Sequence, residues 1–201
     1  RRDDVAVQQR GLRRHRQERQ LSLRELARRL GISPSAISQF ETGKSRLSVS
    51  TLYAIVTELG VSLDYVFRVH EHELSLATAV DADDDPDVAA APVVRPAERH
   101  VVELDSGVTW ERLTSHQHED VDFLHVIYDV GGSSAPDERL MRHPGREYGH
   151  VISGRLGVQL GFERHELGPG DSIAFDSTLP HRLWNLGDEP VHGIWFVVGR
   201  D

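Results

Sequence analysis

The chain has 201 residues, a formal net charge of −9, 38% hydrophobic residues, one methionine and no cysteine. The missing cysteine excludes disulfides, thiolate zinc sites, iron–sulfur clusters and cysteine nucleophiles, so any metal must use histidine and carboxylate. The charge is divided unevenly: residues 1–68 carry 13 Lys and Arg against 7 Asp and Glu, while residues 69–201 carry 10 against 25.

A basic head that suits a polyanion thus precedes an acidic body. General overuse of arginine, 22 Arg to 1 Lys, is the blander alternative. No window approaches eighteen consecutive apolar residues, and the opening RRDDVAVQQR lacks a signal-peptide core. A cytoplasmic protein without membrane attachment is expected.

In the head the apolar spacing is helical. Leu23, Leu26, Ala27 and Leu30 fall at i, i+3, i+4 and i+7, and Leu52, Ile55, Val56 and Leu59 repeat the pattern. Ser22 with Glu25 three residues on spells a capping box, Gly31 and Gly60 stand where helices should stop, and Ser33 before Pro34 is an N-cap with proline in the first turn. Five short helices fit into residues 5–68.

The stretch LRELARRLGISPSAISQFETGKSRLSVSTLYAIVTELGVSLDYVF resembles the helix-turn-helix domain of the Xre/lambda-repressor-like regulators, and the match runs over residues 9–67. The resemblance implies a bracing helix, a tight turn at Gly31, Ile32 and Ser33, and a second helix from Pro34 to Glu41 presented to the major groove, with Ala27, Ile37 and Phe40 interior. Ser35, Ser38 and Gln39 then face the bases, and Gln39 can pair bidentately with adenine. Lys44, Ser45 and Arg46 are implied phosphate contacts, with Arg13, Arg24 and the helix N-terminus at Ser22 as further candidates. Two positions depart from the family's habit: Pro34 replaces a polar base-contacting residue, and Arg24 replaces a glutamine. One head reads only a few base pairs, so a homodimer or higher oligomer on a near-palindromic double-stranded operator is expected, with the second domain as dimeriser.

Residues 75–97 hold Pro86, Pro92 and Pro96 and the acids Asp81, Asp83, Asp84, Asp85 and Asp87, with no aromatic side chain. Such a segment builds no core and reads as an extended linker that holds its neighbours apart. The division expected is a DNA-binding domain at 1–70, a linker at 71–97 and a sensor domain at 98–201.

Beyond the linker the period changes to two, in VDFLHVIYDV, YGHVISGRLGVQLG, DSIAFD and VHGIWFVVG, separated by glycine-rich turns. Eight to ten strands in about 105 residues predict a small jelly-roll barrel, and hence an α+β two-domain chain with an all-α head and an all-β body. Alternation puts Glu147, Gly149 and Val151 on one face and Tyr148, His150 and Ile152 on the other. Phe123, His125 and Ile127 oppose Leu124, Val126 and Tyr128, with the inner face open. His181 shares a face with Leu183 and Asn185.

The stretches RHPGREYGHVISGRLGV and GPGDSIAFDSTLPHRLWN together resemble the two motifs of the cupin family over residues 110–199. By that resemblance His143, Glu147 and His181 match metal-ligand positions, while Met141 stands where many metal-binding cupins carry their first histidine. Two histidines and one carboxylate form a set suited to Fe(II), with zinc, nickel or manganese as alternatives. Metal-free barrels keep the same residues as hydrogen-bonded pocket groups, and that alternative stays open. His150 reads as outward, His165 as part of a turn-rich stretch, and His116 and His118 as a polar loop. Phe123, His125, Tyr128, Arg139, Trp184 and Trp195 are candidates for the mouth, a lining that suits a small anionic or amphipathic ligand.

The combined order resembles the bacterial helix-turn-helix/cupin transcription regulators. The function implied is sequence-specific DNA binding tuned by a small effector or a metal in the barrel, with no catalytic residue assigned. The alternative is a mononuclear non-haem iron oxygenase or epoxidase acting on a small anionic substrate with a vestigial head, since hydroxypropylphosphonate epoxidase shares the domain order and the His/Glu/His spacing.

Overall fold

Helix caps written into the sequence set the boundaries of the head. The computed structural model describes residues 12–61, 92–115, 121–135 and 138–199. Helix α1 covers 12–18, α2 Leu23–Leu30, α3 Pro34–Glu41 and α4 Val49–Leu59. Ser22, Ser33 and Ser48 each accept a hydrogen bond from the backbone N–H three residues on, satisfying one orphan donor per helix start. Gly31 and Gly60 close α2 and α4 at φ 66° and 57°, a left-handed conformation that costs any other residue a steric penalty. The capping box at Ser22 forms only in half. The Glu25 carboxylate is gripped by Arg28 and Arg29 at 2.7 to 2.9 Å instead of turning back. The fifth expected helix and most of the expected linker lie outside the described residues; within 92–97 a 3-10 turn begins at Pro96.

Leu12, Leu26, Ala27, Ile37, Phe40, Leu52, Ile55 and Leu59 make the core of the head. A buried ion pair closes it: Arg16 donates to both carboxylate oxygens of Glu41 at 2.6 and 2.8 Å, which pins the end of α3 to α1.

The body is the expected all-β domain. Its strands are β1 Val101–Leu104, β2 Val108–Arg112, β3 Val121–Tyr128, β4 Arg146–Ser153, β5 Leu156–Leu160, β6 Glu163–Leu167, β7 Ser172–Asp176, β8 His181–Asn185 and β9 Val191–Val198. A six-stranded sheet in the order β1-β2-β3-β9-β4-β7 faces a three-stranded sheet β6-β5-β8, all pairs antiparallel. Strand β9 sits between β3 and β4, the non-consecutive neighbour that a jelly roll requires. Leu124, Val126 and Tyr128 turn inward, which decides the face that alternation leaves open. His165 departs from expectation: it lies on the exposed strand β6, in a segment whose charged side chains masked its strand period.

The two domains are not held apart. Ser50 N donates to Ser134 O and Asp105 N to Leu47 O, each at 2.9 Å, and Arg46 pairs with Glu103. Tyr53 of α4 enters the barrel mouth, edge-on to Trp110 with ring centroids 5.7 Å apart. A stiff linker argues for separation, but burial of an aromatic ring against an apolar mouth outweighs it. Among the described residues no helix is long and apolar enough to cross a membrane.

Candidate functional site

Three side chains from different parts of the barrel meet at its inner end. His143 comes from the loop before β4, where Pro144 and Gly145 prevent a helix; Glu147 lies on β4 and His181 opens β8. All three are buried. Their ligand atoms lie within 4.8 Å of one another, the one such cluster of three among the described residues. His143 Nε2 and His181 Nε2 stand 2.9 and 3.2 Å from Glu147 Oε1.

Distance alone would make these hydrogen-bonded ion pairs, but none of the three atoms has a hydrogen-bond partner of proper alignment. Meanwhile the opposite atom of each residue is engaged. His143 Nδ1 lies 3.0 Å from Pro144 O and His181 Nδ1 lies 2.8 Å from Leu179 O, contacts that place a proton on Nδ1 and leave Nε2 free as a lone-pair donor. Trp195 Nε1 donates to Glu147 Oε2 at 2.7 Å, which turns Oε1 toward the histidines. Three buried, unpaired donor atoms aimed at one another fit a divalent cation. Two imidazoles and a carboxylate would hold it, and the ion would supply a Lewis-acid centre for a ligand oxygen.

The electrostatics agree with a charged site. Burial alone would push the Glu147 carboxyl up, and the approach of His143 and His181 reverses this and holds it well below the usual carboxylate range. Burial pushes the His181 imidazole down, while the Glu147 carboxylate lifts it to a net raised value. Burial also pushes the Tyr128 hydroxyl up.

Around this end the wall is apolar: Trp110, Leu124, Val126, Tyr128, Met141, Leu183, Trp195 and Val197, closed by Val49 and Tyr53 of α4. The cavity left measures about 20 Å³, room for one water at most. The Tyr53 ring lies flat on His143, centroids 3.9 Å apart and planes 2° from parallel. Met141, in the place of an absent histidine, exchanges both backbone hydrogen bonds with His181 at 2.8 Å.

Of the expected mouth residues, Tyr128 and Trp195 line the cavity. Phe123 and His125 do not. They lie on the outer face, Phe123 stacked on Phe196 and His125 between Glu111 and His192. Trp184 lies over Gly157 beneath Arg182, away from the triad. His150 points outward and is bonded to Ser172. His116 and His118 fall outside the described residues.

The helical head carries the second candidate surface. Ala27, Ile37 and Phe40 are interior, and the opposite side of α3 presents exposed Ser35 and Gln39 and half-buried Ser38, with Gln39 Nε2 3.4 Å from Ser35 Oγ. Arg13, Arg24 and Lys44 are exposed and Ser45 is half-buried. Arg46, a phosphate candidate, is engaged by Glu103 of the barrel.

The roles of four residues are not legible in the sequence. Tyr53 looks like one more apolar position on an amphipathic helix, and only the docked barrel gives it a role. The sequence offers Trp195 as a mouth residue, and its link to the triad is signalled only by Gly149. A Cβ at Gly149 would come within 2.2 Å of the Trp195 ring, so glycine is what lets the indole cross β4 to reach Glu147. Arg16 and Glu41 carried no signal beyond their charge.

Comparison with known proteins follows the same division. Residues 12–66 match the helix-turn-helix family model and residues 124–197 the cupin domain model. The HTH-type transcriptional regulator PuuR of Escherichia coli is 25% identical over 171 residues, 85% of this chain and 83% of that protein. An HTH_3 family transcriptional regulator from Vibrio cholerae has the same fold throughout, with a TM-score of 0.64 over 97% of this chain and 98% of that one at 21% identity. A hydroxypropylphosphonic acid epoxidase from S. wedmorenis aligns over 96% of this chain and 97% of that one at 20% identity, with a TM-score of 0.45, too distant to argue from.

Proposed function

We infer that this chain, which joins a helix-turn-helix domain to a cupin domain, is a cytoplasmic transcriptional regulator that binds DNA through α3 and reads a small effector, a divalent metal or both in its barrel. The observation that carries the reading is an α2-turn-α3 unit whose core is filled and whose Ser35 and Gln39 are exposed to solvent, in a chain alike over most of its length to the PuuR regulator. Ser35, Ser38 and Gln39 read base edges; Arg13, Arg24, Lys44, Ser45 and Arg46 take phosphates. A homodimer on a near-palindrome brings two such heads to half-sites about one helical turn apart.

In the barrel, the unpaired Nε2 atoms of His143 and His181 and Oε1 of Glu147 support a metal, with Fe(II) best suited to the donor set. The oxygenase alternative needs space for substrate and O₂ beside the triad, and the cavity of about 20 Å³ provides none while Tyr53 is in place.

The test is selection of genomic fragments by the purified protein at near-physiological salt, followed by sequencing. A shared near-palindrome is expected, and binding that is indifferent to sequence overturns the regulator reading. Metal content is measured in parallel on the wild type and on His181→Ala. The variant is expected to lose the bound ion, and equal content removes His181 from the site.

A further inference from the structure

The joint between head and barrel is built where the regulator reading, on which this inference rests, needs two different things. On one side α4 delivers Tyr53 into the barrel, its ring parallel to His143 at 3.9 Å and edge-on to Trp110. An aromatic ring stacked on the imidazole of a candidate ligand residue occupies the place that a flat small molecule would take. With it there, about 20 Å³ remains, so nothing larger than water shares the site. On the other side the loop that begins α4 carries Arg46, and the barrel meets it with Glu103. Arg46, Glu103, Asp105 and Asp129 line one recess. A DNA phosphate approaching Arg46 would meet three barrel carboxylates and find its cation already paired. Ser35 and Gln39 of α3 are exposed in the docked form, so docking acts on the phosphate side of the DNA surface and not on the base readers.

We propose that Tyr53 is a tethered occupant of the barrel's effector site, and that the docked head is the low-affinity state for DNA, with Glu103 standing in for phosphate on Arg46. The effector is a flat molecule about the size of one aromatic ring. It takes the place of Tyr53 on His143, and α4 leaves with its tyrosine. The two backbone hydrogen bonds of the joint break and Arg46 is released to DNA. Ligand and DNA therefore favour the same undocked form, each raising affinity for the other.

The latch is tested by removing its ring. Full-length Tyr53→Ala and wild type, each shown by urea unfolding to be folded, are titrated with a random-sequence 30-base-pair duplex at low salt. Use of a random duplex separates this test from the operator selection above. The variant is expected to bind several-fold more tightly. Equal or weaker affinity overturns the latch and leaves the regulator reading standing, and absence of DNA binding in both proteins overturns the regulator reading and the latch together.

Glu103→Gln, which leaves the fold of both domains alone, is expected to tighten binding to the same duplex several-fold, and unchanged affinity contradicts the role of Glu103. For the effector site, p-cresol is titrated into Tyr53→Ala and into the wild type. Saturable quenching of tryptophan fluorescence at millimolar concentration is expected in the variant alone. Its absence in the variant overturns the ring-sized ligand.

Discussion

Replacing Trp195 by Phe tests whether the indole N–H holds the triad in register. The substitution removes the 2.7 Å hydrogen bond to Glu147 Oε2 while keeping an aromatic ring in the buried position. A hydrogen bond to a charged group contributes about 1.5–3 kcal/mol, and losing it leaves a buried carboxylate oxygen short of a donor. Trading indole for phenyl also leaves a void of roughly 40 Å³, which at about 24 cal/mol per Å³ adds about 1 kcal/mol. The expected loss is therefore about 2.5–4 kcal/mol, read as a lower urea midpoint with unchanged slope. Because the void and the hydrogen bond are mixed in that number, the decisive quantity is the coupling with Glu147→Gln. In the neutral background the hydrogen bond is worth about 0.5–1.5 kcal/mol, so Trp195→Phe should cost about 1 kcal/mol less there. A coupling indistinguishable from zero would falsify the claim that Trp195 orients Glu147.

Gln39→Ala is expected to weaken binding to the selected operator by about 1–3 kcal/mol while hardly changing affinity for random duplex; equal loss on both DNAs removes Gln39 from base reading. Glu41→Ala strands the buried Arg16 and should cost about 3–5 kcal/mol in urea unfolding, whereas Glu58→Ala, which leaves the exposed Arg29 to its other partner Glu25, should lower the urea midpoint hardly at all. Similar losses in the two would show that the Arg16–Glu41 pair is not buried in solution. Burial raises the Glu111 carboxyl, but hydrogen bonds from His125 and Arg99 more than offset this and leave it below its ordinary 4.5. A group lowered on folding stabilises above its unfolded value, and that contribution is lost as the pH falls through the lowered one. As the pH falls below about 4.5 the wild type should accordingly lose stability faster than Glu111→Gln, and parallel curves would count against the network.

Much of the head could be read from the sequence because its signals are local. Ser33 and Pro34 start a helix through their own hydroxyl and ring, and Gly31 ends one through its own φ, whatever lies nearby. The triad was legible by resemblance, and the alternation of Glu147, Gly149 and Val151 agrees with their burial because period two survives on a strand with one wet face. What escaped was relational. Nothing in the spacing of Leu52, Ile55, Val56 and Leu59 says that Tyr53, beside them, serves another domain. Phe123 and His125 read as cavity residues in the sequence because an apolar face and a half-wet aromatic face look alike when both alternate. On the outer face they are kept there by partners on other strands, Phe196 and His192 on β9 and Glu111 on β2. His165 escaped for the opposite reason: a strand exposed on both faces shows no period at all.

The joint has an evolutionary side. Two of its connections, Ser50 N to Ser134 O and Asp105 N to Leu47 O, run between main-chain groups. Leu47 and Ser134 on the acceptor side are buried, but at the donor positions, half-buried Ser50 and exposed Asp105, side chains can change without breaking either bond, so drift there leaves the docking geometry untouched. The restriction is one of exclusion: proline at 50 or 105 would delete a donor. Among relatives that share this arrangement, the mark it leaves is thus a proline that never occurs at two positions, a trace that a search for shared side chains passes over.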